Sequence, residues 1–219
     1  DIAKIADPGT SFAWDHYLLA TVDWAFNEDV KAPGFDPAAA EKLLDESGLT
    51  RDANGSRGTL RLYYMDTFYG HRTLAAIVAR NLEAVGFTVD YEGLGSVEWS
   101  RRIRREHDFE LIIVGGTMSP DIEITATKYA STGLNNMGLH HNKDVDAAYE
   151  AARTALTREE RGAHYRRLQE IWRRDCEFVP LFWYGTYYAR SRRFFGWADQ
   201  LEYSIPWWHW GRIRPVEKA

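Results

Sequence analysis

Apolar residues recur along this chain with two periods, and the switches between them mark out its elements. Asp36-Pro37 opens the first clear helix, because aspartate is a favoured N-cap and proline fits the first helical position. Ala40, Leu43 and Leu44 then form an apolar face, and Gly48 stands where a left-handed C-terminal residue is needed. Residues 51–58 are turn chemistry. Leu60, Leu62 and Tyr64 alternate with Arg61 and Tyr63, the period of a strand. After a loop at 65–70, Leu74, Ile77, Val78, Leu82 and Val85 return at helical spacing until Gly86. Phe87, Val89 and Tyr91 predict a second strand. Trp99 to Arg105 predicts a short helix whose arginines, Arg101, Arg102, Arg104 and Arg105, read as a solvated face. Phe109 to Val114 is a nearly continuous apolar run before Gly115-Gly116, the pattern of a buried parallel strand.

Strand, helix, strand, helix, strand over about 55 residues predicts an α/β fold: a parallel sheet with right-handed crossovers. Residues 115–142 follow as a long polar loop, with a short helix expected around Glu123 to Tyr129. Val145, Ala148, Tyr149, Ala152 and Leu156 mark another helix. Thr157 with Glu160 three residues later is a capping box that opens the next one, on which Tyr165, Leu168 and Trp172 share a face. Phe178 to Trp183 and Tyr187 to Arg190 read as two more strands. The first 35 residues lack periodicity and read as an irregular lead-in. Residues 36–195 form the α/β unit, and 196–219 an aromatic-rich tail.

Composition narrows the classes. The 219 residues are 45% hydrophobic and 27% charged, which excludes a disordered or collagen-like chain. The formal net charge of −5 gives no bulk attraction to nucleic acid. No apolar run approaches the roughly 20 residues of a membrane-spanning helix. A single cysteine, Cys176, excludes an internal disulfide framework without fixing the compartment. The chain opens Asp1-Ile2-Ala3-Lys4, with no initiator Met and no leader, so a processed product or a piece of something longer is expected. Nine Trp, twelve Tyr and ten Phe are a surplus that serves either packing or a ligand-stacking surface.

Catalytic and metal signatures are weak. His140 and His141 are adjacent and so point apart, which does not suit the three or four convergent ligands of zinc. Cys176 lies between Asp175 and Glu177, neighbours that disfavour a reactive thiolate. There is no Gly-x-Ser-x-Gly elbow, and Gly93-Leu94-Gly95-Ser96 lacks what a phosphate site needs. No cofactor is expected and nothing demands an enzyme. The 115–142 loop is the candidate site instead, since ligands of open α/β sheets bind beyond the carboxyl ends of the strands. Gly115 and Gly116 allow close backbone approach. Gly116, Thr117, Met118, Ser119, Asp121, Asn135 and Asn136 are the candidate ligand contacts, with Trp183 and Tyr184 as candidate stacking groups.

An ordered set of short motifs resembles the C-terminal part of the family 5 extracellular solute-binding proteins, the oligopeptide, dipeptide and nickel receptors of ABC importers. Phe35 to Leu44 followed by Gly48-Leu49 is similar to the family's "YDPEKAKKLLDEAG". Ala79 to Phe87 is similar to its helix-to-strand step. Asn136 to Asp146 with Arg161, Tyr165, Gln169 and Phe178-Val179-Pro180-Leu181 resembles "N…y-x-n-p-x-v-D…R…y…q-x-i…P-x-i-p-l".

The resemblance implies a periplasmic-binding-protein-like lobe with a mixed, largely parallel sheet flanked by helices. It implies a solute (a peptide, a sugar conjugate or similar), an ABC permease and a preceding N-terminal lobe as partners. The location implied is periplasmic or extracellular, with a lipoprotein anchor as one option, and the tail after about residue 196 would return to the first lobe. One departure stands out. Peptide-binding members carry "W-x-x-D" after the central strand, whose Asp pairs with the peptide ammonium; here Ser119 occupies that position and Asp121 is the candidate replacement. A neutral hydroxyl forgoes a charge-assisted bond of about 1.5–3 kcal/mol, which points to a solute without a free amine. Two other readings stand beside this one. The first is a hydrolytic enzyme using Asp121 with His140 or His141; the second is an adaptor lobe binding a protein through Trp207, Trp208 and Trp210.

Overall fold

The structure, a computed structural model, describes residues 2–6, 14–18, 22–68, 70–115, 121–183, 191–196 and 213–215. Its centre is a parallel sheet of β1 (Thr59–Met65), β2 (Thr88–Leu94) and β3 (Leu111–Ile113) in the order β2-β1-β3. Leu62 stands opposite Tyr91 on one side and Leu111 on the other. The helix α3 (His71–Ala84) carries the chain from β1 to β2, and α4 (Ser96–Trp99) continues as a π-helix (Ser100–Glu106) from β2 to β3. The second crossover runs back past β1, so keeping one hand places it on the opposite face from the first. The packing follows. Leu62, Tyr64 and Ile113 bury against Leu74, Ala75 and Ala79 of α3. Tyr63 and Leu94, pointing the other way, bury with Trp99 and Ile103.

A second core lies in the helical hairpin of α6 (Lys143–Thr154) and α7 (Arg158–Asp175). Thr157 and Glu160 form the reciprocal capping box at the start of α7, as their spacing predicts. Val145, Tyr149, Tyr165, Leu168 and Trp172 fill the space between the helices. The lead-in joins the same core through Tyr17, Leu18, Val22 and Ala25. Its backbone is held by α7: Arg166 donates to the Trp24 carbonyl at 2.7 Å and Gln169 to the Ala25 carbonyl at 2.8 Å.

Several expectations need correction. Ile2–Ala6 form a short helix, α1, against α3, where no element was expected. The helix predicted at Trp99 starts earlier and widens into the π-form. Arg101, Arg104 and Arg105 are exposed, as a solvated face requires, whereas Arg102 is half-buried and donates to the Tyr63 hydroxyl at 2.9 Å. Glu98 binds both Arg101 and Arg102, which push its carboxyl down to about 2. Leu156 is not part of the α6 face; the helix ends at Thr154 and Leu156 is 95% exposed. α2 (Pro37–Glu46) forms with its Asp36 cap, yet buries no residue. Residues 178–182 are irregular rather than a strand, and Trp183 makes one isolated bridge. Pro180 lacks the donor a strand interior needs. The apolar residues of that segment serve packing instead, Phe178 on the helical core and Leu181 and Phe182 on the α3 face of the sheet. The strand expected at Tyr187 to Arg190 lies outside the described residues. A separate antiparallel pair, β4 (Phe194–Phe195) with β5 (Arg214–Pro215), completes the described elements.

Candidate functional site

In this β2-β1-β3 sheet the crossovers that leave β1 and β2 lie on opposite faces, and ligands of open α/β sheets bind beyond the carboxyl ends of the strands. On the β1 side the chain turns at Met65 to Phe68. The Phe68 amide donates to the Met65 carbonyl at 3.3 Å, and Gly70 takes φ 79° at the start of α3. His71 follows, 1% exposed, with its ring stacked on Phe68 at 5.0 Å. Burial lowers its pKa, which favours the neutral imidazole. On the β3 side, a Cβ at Gly115 would stand 3.2 Å from His71 Nε2, so the absent side chain is what lets the two connections approach. The close backbone approach expected at Gly115 is an approach to the His71 ring, a residue that no motif singled out. Its position as the first helical residue after the β1 turn was the available signal.

Gly116, Thr117, Met118, Ser119 and Tyr184 lie outside the described residues. Asp121 begins the 3-10 turn Ile122–Thr125 and accepts from the Glu123 amide at 3.2 Å. Its carboxylate also pairs with Arg161 of α7 at 3.1 Å. Arg161 reaches the Tyr165 hydroxyl at 3.1 Å, and Tyr165 donates to Glu123 at 3.1 Å. Burial pushes the Tyr165 hydroxyl up to about 12, and the neighbouring Arg161 pulls against it. Asp121 thus belongs to a network that ties the long connection to the hairpin.

Asn135 accepts from Arg104 of the π-helix at 2.8 Å. Asn136 uses both ends of its amide on the His140 backbone, donating to the carbonyl at 2.9 Å and accepting from the N–H at 2.8 Å. Its amide therefore closes the 136–140 turn. Trp183 is half-buried. The structure brings no two of Asp121, Asn135 and Asn136 onto a shared partner among the described residues. His140 packs on Tyr129, with Nδ1 3.7 Å from Glu177. Among the described residues no contact joins Asp121 to His140 or His141, as a hydrolytic pair would require.

The profile of the bacterial extracellular solute-binding proteins, family 5 Middle, matches residues 6–136. The chain is 27% identical over 187 residues to a dipeptide-binding protein of Pseudomonas aeruginosa, covering 81% of this chain and 34% of that one. It spans about a third of the length of the curated relatives it matches. The ABC transporter substrate-binding protein CtaP of Listeria monocytogenes superimposes with TM-score 0.82 at 22% identity, covering 99% of this chain and 44% of CtaP. The oligopeptide-binding protein AppA of Bacillus subtilis, solved with a nonapeptide, gives TM-score 0.83 at 15% identity, covering 99% and 45%. At these identities the two structures speak for the fold.

Proposed function

Because the chain belongs to the bacterial extracellular solute-binding proteins of family 5, we propose that it is the second lobe of a two-lobed receptor. The receptor captures a peptide-like or other small solute and hands it to an ABC permease. The observation that carries this reading is the family match across residues 6–136, joined to a parallel sheet beyond whose β3 end Gly115 lies close to the His71 ring. The lobe binds and performs no catalysis. An N-terminal lobe of the same receptor supplies the opposing wall, and closure of the two excludes water. Residues 196–219 return towards that lobe. The receptor works in the periplasm or outside the cell, with a lipid anchor as one means of retention.

The solute rests on Gly116, Thr117, Met118 and Ser119, with Trp183 and Tyr184 stacking beside it. Asp121 closes the end of that stretch, and its pairing with Arg161 supports a solute whose amino end is not the recognised charge. The test is a thermal-shift assay on the whole receptor with dialanine, N-acetyl-dialanine, an oligosaccharide series and divalent nickel. A rise in Tm with the acetylated peptide or a sugar, and none with the free peptide, is expected. At a hundredfold excess over Kd such binding adds about 2.7 kcal/mol. A larger rise with free dialanine would overturn the choice of solute, and no rise with any of the four would overturn the receptor reading.

A further inference from the structure

Among the described residues β2 is an outer strand of the sheet, with β1 on one side and no strand on the other. Its register with β1 runs unbroken from Thr88 to Leu94. The flanking bonds fix which backbone groups that pairing uses: the Thr88 amide donates to the Gly58 carbonyl at 2.8 Å, and the Leu94 carbonyl accepts from the Asp66 amide at 3.2 Å. In a parallel ladder each bonded residue turns both of its groups to the same neighbour. Thr88, Asp90, Glu92 and Leu94 therefore face β1. The N–H and C=O of Val89, Tyr91 and Gly93 face outwards, with no partner among the described residues. Exposed edges are ordinarily blunted by proline, lysine, a bulge or shortness, and this strand of seven residues has none of these. What it has instead is negative charge.

A groove of about 390 Å³ runs along the edge, lined by Arg61, Tyr63, Val89, Asp90, Tyr91 and Glu92. Its cation is already neutralised, since Arg61 is held by Glu110 at 2.7 Å and bound by Asp108 as well. Glu92 reaches Arg102 only at 3.5 Å, while Glu98 holds Arg102 at 2.7 Å. Whereas Asp146 accepts from the Ser131 amide and hydroxyl just beyond α5 (Ala126–Tyr129), the exposed Asp90 makes no hydrogen bond or ion pair among the described residues. These two carboxylates select the occupant. A second copy of β2 added antiparallel, centred on Asp90, Tyr91 or Glu92, would set one carboxylate directly opposite another, which is destabilising. A strand with Lys or Arg at both opposing positions meets them in the non-hydrogen-bonded pairs, where side chains stand closest. We infer that the outer edge of β2 is a docking site for an extended segment of another protein that carries basic residues at alternate positions. The segment pairs its main chain with Val89, Tyr91 and Gly93, and the residue between its two cations lies against the exposed Tyr91 ring. The inference does not depend on the receptor reading above.

The experiment follows amide hydrogen exchange by NMR in the whole receptor. Its probes are two blocked hexapeptides, acetyl-Thr-Lys-Val-Lys-Val-Thr-amide and the counterpart with Glu for both Lys. The lysine probe should protect the Val89, Tyr91 and Gly93 amides about tenfold or more, while those of Asp90 and Glu92, already bonded to β1, change little. The glutamate probe should protect none of them, and added salt should weaken the lysine probe. Asp90→Asn combined with Glu92→Gln should raise the Kd of the lysine probe by at least about threefold. Tyr91→Pro removes one outward donor and no bond to β1, so it should abolish the protection, whereas Tyr91→Thr retains it. The charge variant decides the matter should Tyr91→Pro also lower Tm. Equal protection by both probes, or protection by neither, overturns the inference, even where the peptides bind elsewhere in the receptor. So does a Kd that the charge variant leaves unchanged. Protection already present without a probe overturns it as well: the edge is then covered by a segment of the receptor itself or, where protection grows with receptor concentration, by a second copy. The receptor reading stands in each of these cases.

Discussion

Gln169 holds the lead-in to the helical hairpin, and the cost of removing it can be worked out from its partners. It lies within α7 at 0% exposure. Its Nε2 donates to the Ala25 carbonyl at 2.8 Å and the Tyr165 carbonyl at 2.9 Å, and its Oε1 accepts from the Asn27 amide at 3.2 Å. Gln169→Leu keeps nearly the same volume, so the loss is in hydrogen bonding rather than in a cavity. The carbonyl of Ala25, itself 0% exposed, would be left without this donor, and so would the half-buried Asn27 N–H without its acceptor. A buried orphan costs about 1–3 kcal/mol, with the half-buried one at the low end. The added apolar burial of leucine offsets about 1 kcal/mol. The net loss is about 1–3 kcal/mol, or roughly 2–12 °C in Tm for a chain of this size. Urea unfolding of the purified receptor, followed by tryptophan fluorescence, should show a lower midpoint at constant slope. A Leu variant within about 0.5 kcal/mol of the wild type would refute the reasoning, since the lead-in would then not depend on α7.

Three further outcomes follow from single positions. Alanine is the better helix former at Gly162 by about 1 kcal/mol, but its Cβ would stand 2.3 Å from the Trp24 carbonyl oxygen; Gly162→Ala should therefore lower Tm, by about 1–3 kcal/mol of stability. Cys176 ends α7 at φ 50°, so Cys176→Gly should raise Tm in a reducing buffer, by about 0.5–1 kcal/mol of stability, and a fall would count against backbone strain there. Burial lowers the pKa of both His71 and His140, with Glu177 opposing the effect at His140. The folded state then binds fewer protons than the unfolded one, so this contribution is whole above the ordinary value of 6.5 and is lost as pH falls below it. Tm measured from about pH 8 down to 5 should decline at the acid end, less steeply in His71→Gln; an identical slope in that variant would exclude His71 as a source.

Local signals carried the regular elements well. Asp36-Pro37, the Thr157 and Glu160 pair, and the alternation at Leu60 to Tyr64 each depend on neighbours within four residues, and each element forms where it was expected. What the sequence did not disclose depends on distant partners. The lead-in has no period of its own, because its order comes from Arg166 and Gln169. Residues 178–182 look strand-like in composition, but Phe178 packs on Trp172 and Tyr129, and Leu181 and Phe182 on the α3 face of the sheet, rather than pairing with a neighbouring strand. At the candidate site the long connection and Gly115 were legible as a glycine-edged strand end. The pairing of Asp121 with Arg161, 40 residues away, and the closure of a turn by Asn136 were not, since nothing in residue type distinguishes a ligand contact from a structural clamp.

The grip of α7 on the lead-in also sets an order of events during synthesis. The bonds joining Trp24, Ala25 and Asn27 to Arg166 and Gln169 bridge 139 to 144 residues. A chain still emerging from the ribosome can pair β1 with β2 and lay α3 across them, because those contacts are local. It cannot close the helical core until α7 is complete, and until then Tyr17, Leu18 and Val22 have no hairpin to pack against. Closing so long a loop costs entropy before any contact repays it, which makes this step slow and leaves apolar side chains open meanwhile. Nascent chains stalled before residue 158 should therefore hold a formed sheet beside a protease-sensitive lead-in, whereas chains released after residue 175 should protect both.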